Sequence, residues 1–468
     1  MSATRLESDA AGAVEIPAGR YWGAQTQRAC GVFGAEGPRL QVQVIHAFGL
    51  QKAAAAEANV ALGMLDGRRG DQIRAAAAEM AAGHFDEHFP LPIWQTGSGT
   101  QTNMCANEIL ANRANERMGQ PLGTRDPVHP NDHVNRSQSS NDSFPTVMQI
   151  AALRMIEDVL LPAVRALAEA FALKARAFEG ITRLGRTHLN DAVPVPLSQA
   201  FASYARQIDK AGDRLEATLP DLREVPQGGT AAGSGLNAPE GFDRAFCDAL
   251  SRLAGTAFAP SPVKVEGMAA HDALVAASSA AEGLAVALIH ILNDIRLLAS
   301  GPRAGLAELH LPDDGLSSSI MPGKRNATLA EALMQVCFRV IGNHATVAMA
   351  GGSGLFELNV AKPVLIHAVM ESGLALADGL TRFRLGCLDG LTPNEARMTE
   401  TVDRSLMLAT ALTPVLGYDA VAQVTRATEQ GNLSLRQACL TQGLMTADEY
   451  DRTVDPARMA RGGVMETP

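Results

Sequence analysis

Aromatic residues are scarce in this chain: 2 Trp, 4 Tyr and 14 Phe make up 4% of its 468 residues, although hydrophobic residues as a whole reach 46%. A core of that composition must come from Ala, Leu, Val, Ile and Met, a mixture that favours helices over strands, so a mainly α protein is expected. Cysteine is sparse too. Cys30, Cys105, Cys247, Cys337, Cys387 and Cys439 stand far apart with no C-x-x-C pair, which argues against a zinc or cluster site and for reduced, buried thiols. Positive charge is in deficit, with a net charge of −10 and a pI near 5.6. No basic run interleaved with aromatics is present to track a phosphate backbone, so nucleic acid is not an expected partner. The N-terminus carries Glu7, Asp9 and Glu15 in place of a basic start and an apolar run; no signal peptide is expected, and a cytoplasmic location is. The most apolar stretch, around Leu274 to Leu298, is interrupted by Asp272, Glu282, His290, Asn293, Asp294 and Arg296. That is well short of the ~18 uninterrupted apolar residues of a membrane span.

What the chain does have is length enough for about two to four domains and a set of polar loops at helix starts. The densest runs from Gly315 to Glu331, GLSSSIMPGKRNATLAE. Its first half is rich in turn formers, while Leu329, Leu333, Val336 and Val340 recur at steps of four, three and four, one face of an amphipathic helix. Hydroxyls, an ammonium and free N–H groups at a helix start suit a carboxylate; taken alone, the stretch reads equally well as a Gly/Ser surface loop with a solvated lysine. A second such loop holds Gly97, Ser98, Gly99 and Thr100, with a helix beginning near Asn103. A third, from Val128, offers His129, Asn131, Asp132, His133, Ser139, Ser140 and Asn141, with Pro145 expected in the first helical turn.

Long helices follow. Leu153, Ile156, Leu160, Val164, Leu167 and Phe171 define one, with a kink expected at Pro162. Leu197, Phe201, Tyr204, Ile208, Ala211 and Leu215 define a second. Leu274, Ala277, Ala281, Leu284, Leu288, Ile291, Ile295 and Leu298 define a third, and its small residues favour close helix packing and burial between subunits. GRTHLNDAVPVP (185–196) and QGGTAAGSGLNAP (227–239) read as polar connectors. The glycines of the latter do not form the dinucleotide fingerprint, and a structural turn is the expectation. The charged segments after about Thr392 read as a small helical domain without a site.

The joint set WGAQTQR, WQTGSGTQTNM, HPNDHVNRSQSSND, GRTHLNDAVP, GGTAAGSGLN, SSSIMPGKRN and FELNVAKPV resembles the class II fumarases of the fumarase and aspartase superfamily, over most of the chain. The resemblance implies a mainly α, three-domain subunit divided at 1–139, 140–395 and 396–468. Its central long helices would form the core of a homotetramer, with each active site assembled from loops of three subunits. It further implies reversible hydration of fumarate to L-malate without cofactor or metal. In that chemistry Ser318 would be the base, with Lys324 and loop N–H groups stabilising its alkoxide. His188 would handle the water, oriented by Glu331. Ser98, Gly99, Thr100, Ser139, Ser140, Asn141, Thr187, Ser319, Lys324 and Asn326 would hold the substrate carboxylates, and His129, Pro130, Asn131 and Asp132 a second carboxylate outside the pocket.

Removing a proton beside a carboxylate places a second negative charge on it, so donors and a cation must gather there. Histidine is the side chain that takes and returns a proton near neutral pH. The sequence departs from the family pattern at Ser317 (usually glycine), Arg325 (often apolar), Ala327 (usually proline) and Asp126 (usually arginine, although Arg125 is adjacent). An aspartate ammonia-lyase, or a lyase of a related dicarboxylate, is the alternative activity; a non-catalytic relative is the alternative class. His188 favours the hydratase, since related aspartases carry glutamine there and hydroxide needs an acid to leave.

Overall fold

The apolar repeats in the sequence become helices that bury those positions. The computed structural model describes residues 3–316, 320–431 and 433–463. Every residue named above for the three long helices, from Leu153 to Leu298, is buried, because steps of three and four keep them on one side of a 3.6-residue turn. Their residues cluster into two compact units, one of 1–162, 211–286 and 336–378, the other of 163–210, 287–335 and 379–468.

The first unit opens with an antiparallel hairpin, β1 (Thr4–Asp9) and β2 (Gly12–Pro17), followed by α1 (Ala24–Phe33), α2 (Val42–Ala61), α3 (Gly67–Ala81), α4 (Thr100–Arg117) and α5 (Ser140–Arg154). The Ala-rich α2 is its hub, packed on α3 and α5. Small side chains let it be covered on nearly every face. A buried carboxylate, Glu108 of α4, accepts the N–H groups of Gly23, Gln25 and Thr26 at 2.9, 2.8 and 3.1 Å, satisfying donors that the start of α1 leaves free.

The second unit contains most of α6 (Leu161–Ala177), the hairpin β3 (Thr182–Thr187) and β4 (Asn190–Pro196), and most of α7 (Leu197–Glu216). The GRTHLN segment is therefore a β-hairpin and not a plain connector. Its Thr, Val and Pro alternation was hidden by the polar tip. The bulge between Leu184 and Arg186 breaks the period-two pattern as well. Where a kink was expected at Pro162, the helix carries a π-helical turn, Met155–Leu160, just ahead of it, because proline supplies no N–H to the preceding turn.

Further on come α8 (Leu219–Leu222), α9 (Phe242–Ala254) and α10 (Lys264–Ala269) of the first unit. The long α11 (Asp272–Leu298), α12 (Thr328–Gly351) and α13 (Lys362–Phe383) then contribute residues to both units. By length and mean hydropathy, 1.7 for Asp272–Leu298 and 1.3 for Lys362–Leu388, two of these helices reach what a bilayer crossing needs; about half of each apolar window is already buried inside the chain. Val286, Phe338 and Met349 remain 55–72% exposed on α11 and α12. The C-terminal helices α14 (Glu395–Asp403), α15 (Thr413–Leu416), α16 (Tyr418–Gly431), α17 (Leu435–Thr441), α18 (Ala447–Thr453) and α19 (Pro456–Arg461) gather around a separate core that includes Leu408, Leu412, Val424, Cys439 and Tyr450 together with Leu184 of β3. Among the cysteines Cys30 is only partly buried and the other five are buried, all as free thiols.

Candidate active site

In the first unit the starts of α4 and α5 bring a row of hydroxyls together. Gly99, left-handed at φ 74°, precedes Thr100, the first residue of α4. The Oγ of Ser98 lies 2.7 Å from Thr100 Oγ1, which lies 2.8 Å from Ser140 Oγ. Ser139 is the N-cap of α5: its Oγ accepts from Asn141 N at 3.2 Å, and its own N–H donates to Asp142 Oδ1 at 2.9 Å. This capping box starts α5 five residues before Pro145, so the proline sits in the second turn and not the first. Sequence reasoning weighed the proline and overlooked the Ser139–Asp142 spacing, a helix-start signal in its own right. Asn141 completes the row, its Nδ2 held by Ala231 O at 2.9 Å. Two helix N-termini, three linked hydroxyls and a side-chain amide thus stand together, a set of donors of the kind that suits a carboxylate.

Beneath that row runs a polar network the sequence did not disclose. Gln51 Nε2 donates to Gln138 and Gln227 at 3.0 and 2.8 Å. The fully buried Lys52 donates to Asn135 Oδ1 and Gln138 Oε1 at 3.2 and 2.9 Å. Burial pulls the Lys52 ammonium below its usual range and pushes the Asp142 carboxyl above its own, and attraction between the two opposes both shifts. The available signal was a Gln–Lys pair inside the otherwise apolar run of α2. Lys362, in FELNVAKPV, was missed as well. It is fully buried, burial lowers it to about 7, and its Nζ donates to Asn359 O at 2.6 Å. Its N–H meets Gly97 O at 2.9 Å, tying the start of α13 to the loop before α4.

Near Lys362, His271 is 5% exposed at φ 66°, with Nε2 lacking a hydrogen-bond partner among the described residues. Burial first, and the Lys362 charge second, drop it to about 3. The unfolded chain takes up this proton below about pH 6.5 and the folded chain refuses it until about 3, so stability is lost as pH falls through that window. We expect this group alone to cost roughly 2–3 kcal/mol between about pH 6.5 and about pH 4.5. His271→Asn, whose side chain tolerates a left-handed backbone, removes that part of the acid slope in urea unfolding. An unchanged slope contradicts it.

In the second unit the β3–β4 hairpin closes through His188 and Leu189, at φ 56° and 61°, between the paired Thr187 and Asn190. Two consecutive left-handed residues make the hairpin turn that Asn-Gly ordinarily occupies. A histidine and a leucine there carry backbone strain, which clusters at functional sites. Both are exposed, Leu189 by 80%. The stem is anchored by an ion pair of Arg186 with the buried Glu308, whose Oε2 lies 3.1 Å from Nη1.

The loop before α12 is tied at its base by Thr328 donating to Asp314 and by Arg325 2.8 Å from Asp313. Arg325, one of the departures from the family pattern, thus pairs within its own loop. Lys324 and Asn326 are exposed there, Lys324 N–H closing a turn on Met321 O at 3.1 Å. Glu331, in the first turn of α12, is engaged by Arg296 at 3.3 Å, and no hydrogen bond joins it to His188 among the described residues. Ser317, Ser318 and Ser319 lie outside the described residues.

The remaining expected residues form their own turn. His129 Nδ1 accepts from Asn131 N and Asp132 N, both at 3.2 Å, at the head of the π-helical turn Pro130–Val134. Pro130 is buried, and Asn131 and Asp132 are exposed. Among the described residues no three His, Cys, Asp or Glu side chains group as a metal site.

Residues 12–342 match the family model described as "Lyase", and residues 408–461 the one described as "Fumarase C C-terminus". The chain is 48% identical over 459 residues to a fumarate hydratase class II of Brucella suis, covering 98% of this chain and 99% of that one. It is 49% identical over 456 residues to one of Methylorubrum extorquens, covering 97% of each. Among solved structures, it resembles a recombinant class II fumarase of Schistosoma mansoni with a TM-score of 0.94 at 37% identity, covering 98% of this chain and 99% of that one. A structure titled fumarate lyase:delta crystallin, from Brucella melitensis, matches with a TM-score of 0.93 at 37% identity, covering 98% of this chain and 100% of that one.

Proposed function

The chain belongs to the class II fumarate hydratases of the lyase family, and on that premise we propose that it interconverts fumarate and L-malate through a serine base and a histidine that handles water. The observation that carries this most directly is the Ser98–Thr100–Ser140 hydroxyl row with Asn141 beside it, a donor set sized for a carboxylate. Ser139 and Gly99 act by setting the two helix starts that frame it.

In the proposed mechanism Ser318, assigned from the family resemblance, takes the proton from the carbon beside one carboxylate, and charge moves onto that carboxylate. Lys324 and Asn326 supply the cation and amide that stabilise it, with Ser319 and Thr187 as further donors. His188 returns a proton to the departing hydroxide, which leaves poorly without one. The strained hairpin tip supports this role, because it holds the imidazole out from the stem for contact with something outside its own fold.

An assembly of three chains around each site, in a homotetramer, is part of the proposal. Its support is the exposed apolar residues at loop tips, Leu189, Leu236, Leu316 and Phe356, and on helices, Val286, Phe338 and Met349. Such groups are ordinarily covered by a partner. Glu331 would then reach the imidazole of a neighbouring chain. The division at 139 and 395, the cytoplasmic location and a second carboxylate site at His129–Asp132 are kept as proposals. The C-terminal part has in support its own family match and a core that it builds together with Leu184 of β3.

The test is one preparation given L-malate and, separately, L-aspartate, with fumarate followed by absorbance. We expect fumarate from malate, and no comparable ammonia release from aspartate. The reverse preference would replace the hydratase with the ammonia-lyase. His188→Asn is expected to slow malate dehydration by about a hundredfold. Asparagine suits a left-handed tip better than histidine does, so the loss cannot be ascribed to a broken hairpin. Dehydration at the parent rate would remove His188 from the chemistry.

A further inference from the structure

Two loops of the first unit meet through one buried carboxylate. Asp142 Oδ1 accepts from Ser139 N at 2.9 Å and Ser143 Oγ at 3.3 Å, and Oδ2 accepts from Gly228 N at 3.0 Å and Thr230 N at 2.9 Å. Asp142 is therefore both the capping-box residue of α5 and a clamp on the 227–231 loop.

That loop needs a clamp. Gly228 at φ 95° and Thr230 at φ 54° are both left-handed, and for threonine the conformation is costly. The Thr230 hydroxyl is buried without a partner among the described residues, so it is the backbone N–H that holds the loop. The next residue, Ala231, supplies the carbonyl that orients Asn141. A continuous path thus runs from Asp142 through Thr230 and Ala231 to the amide proposed to bind substrate.

A carboxylate so deeply buried needs a counter-charge. Lys52 on α2 is fully buried beside Gln138, the residue before Ser139, and its charge attracts that of Asp142.

We propose that Asp142 is a positioning residue: it sets the shape of the substrate-carboxylate pocket by clamping the 227–231 loop to the start of α5, and Lys52 is the counter-charge that permits a carboxylate there. This rests on the hydratase reading above. It assigns to the QGGTAAGSGLNAP segment, which sequence alone reads as a connector, the task of orienting Asn141.

The consequence is a specific kinetic pattern. In Asp142→Asn, an NH2 group must face N–H donors on one side, either those of Gly228 and Thr230 or that of Ser139, so one half of the clamp is lost. A pocket that binds ground state and transition state alike is then loosened. KM for L-malate rises by about tenfold or more while kcat stays within about threefold. Lys52→Met alone leaves a buried charge uncompensated and lowers the thermal midpoint. The double variant Lys52→Met/Asp142→Asn removes both charges together and recovers the midpoint, yet keeps the raised KM, because one half of the clamp is still missing. Recovery of KM along with stability would reduce the pair to a structural role and overturn the proposal. So would an assembled Asp142→Asn enzyme with the parent KM. If Asp142→Asn alone does not assemble, the double variant carries the same test. The parent enzyme is the separate control: absence of malate turnover in it refutes the hydratase reading, whereas an active variant with unchanged KM refutes only the clamp.

Discussion

Replacing Ser318 with alanine is expected to lower malate dehydration by about a thousandfold or more, with the oligomer and its thermal midpoint unchanged. The size follows from the chemistry. A proton on carbon beside a carboxylate is held far more tightly than one on a heteroatom, and no step follows until it is removed, so loss of the base cannot be offset by tighter binding. A free serine hydroxyl is a weak base; in this site its alkoxide would draw on Lys324 and the N–H groups around the Met321–Lys324 turn. The neighbouring Leu316, Ile320 and Met321 are exposed by 64, 82 and 45%, and the loop is fastened at its base by the Asp314–Thr328 and Asp313–Arg325 contacts. Steady-state kinetics beside a melting curve checks both halves. A rate within about tenfold of the parent would pass the role of base to another group.

The second large effect comes from a residue with no side chain. A Cβ built on Gly97 would stand 1.3 Å from Val360 O and 2.0 Å from its carbonyl carbon, a collision of the added carbon with backbone that no rotamer relieves. The contact it would break also carries the Gly97 O to Lys362 N hydrogen bond, which joins the start of α13 to the loop that delivers Ser98 and Thr100. We expect Gly97→Ala to cost at least about 3 kcal/mol of stability. In whatever remains folded, displacing the Ser98–Thr100–Ser140 row by about 1 Å should cost a further factor of about 100 in kcat/KM. Gly67→Ala, where the added Cβ meets nothing within 4 Å, is the control for composition. A Gly97→Ala enzyme that melts and turns over like the control would show that the close approach is not required.

Much of this protein was legible as a string of residues. Steps of three and four picked out the buried faces of the helices from Leu153 to Leu298 position by position, since periodicity is a local property and burial follows it. The polar motifs were legible for a different reason. Their joint spacing over most of the chain is specific where each alone is an ordinary cap or turn, and the family that set implied is the one to which the chain belongs.

What the sequence could not state is what depends on partners distant along the chain. Lys52 drew no reading from the sequence, because its partner Gln138 lies 86 positions away and the Asp142 charge that attracts it is farther still along the chain. Gly97 reads as a turn former until Val360 is laid against it, and GRTHLN reads as a connector until β4 pairs back onto β3. Sequence by itself determined the helical faces, the family and the chemistry to look for, because patterns of polarity and spacing are written locally. Tertiary structure alone decided which buried charges face each other, which loop holds Asn141 and how His188 is held at a strained tip. Those depend on the low dielectric and close packing of an assembled interior, which exist only once remote segments exclude water from between them.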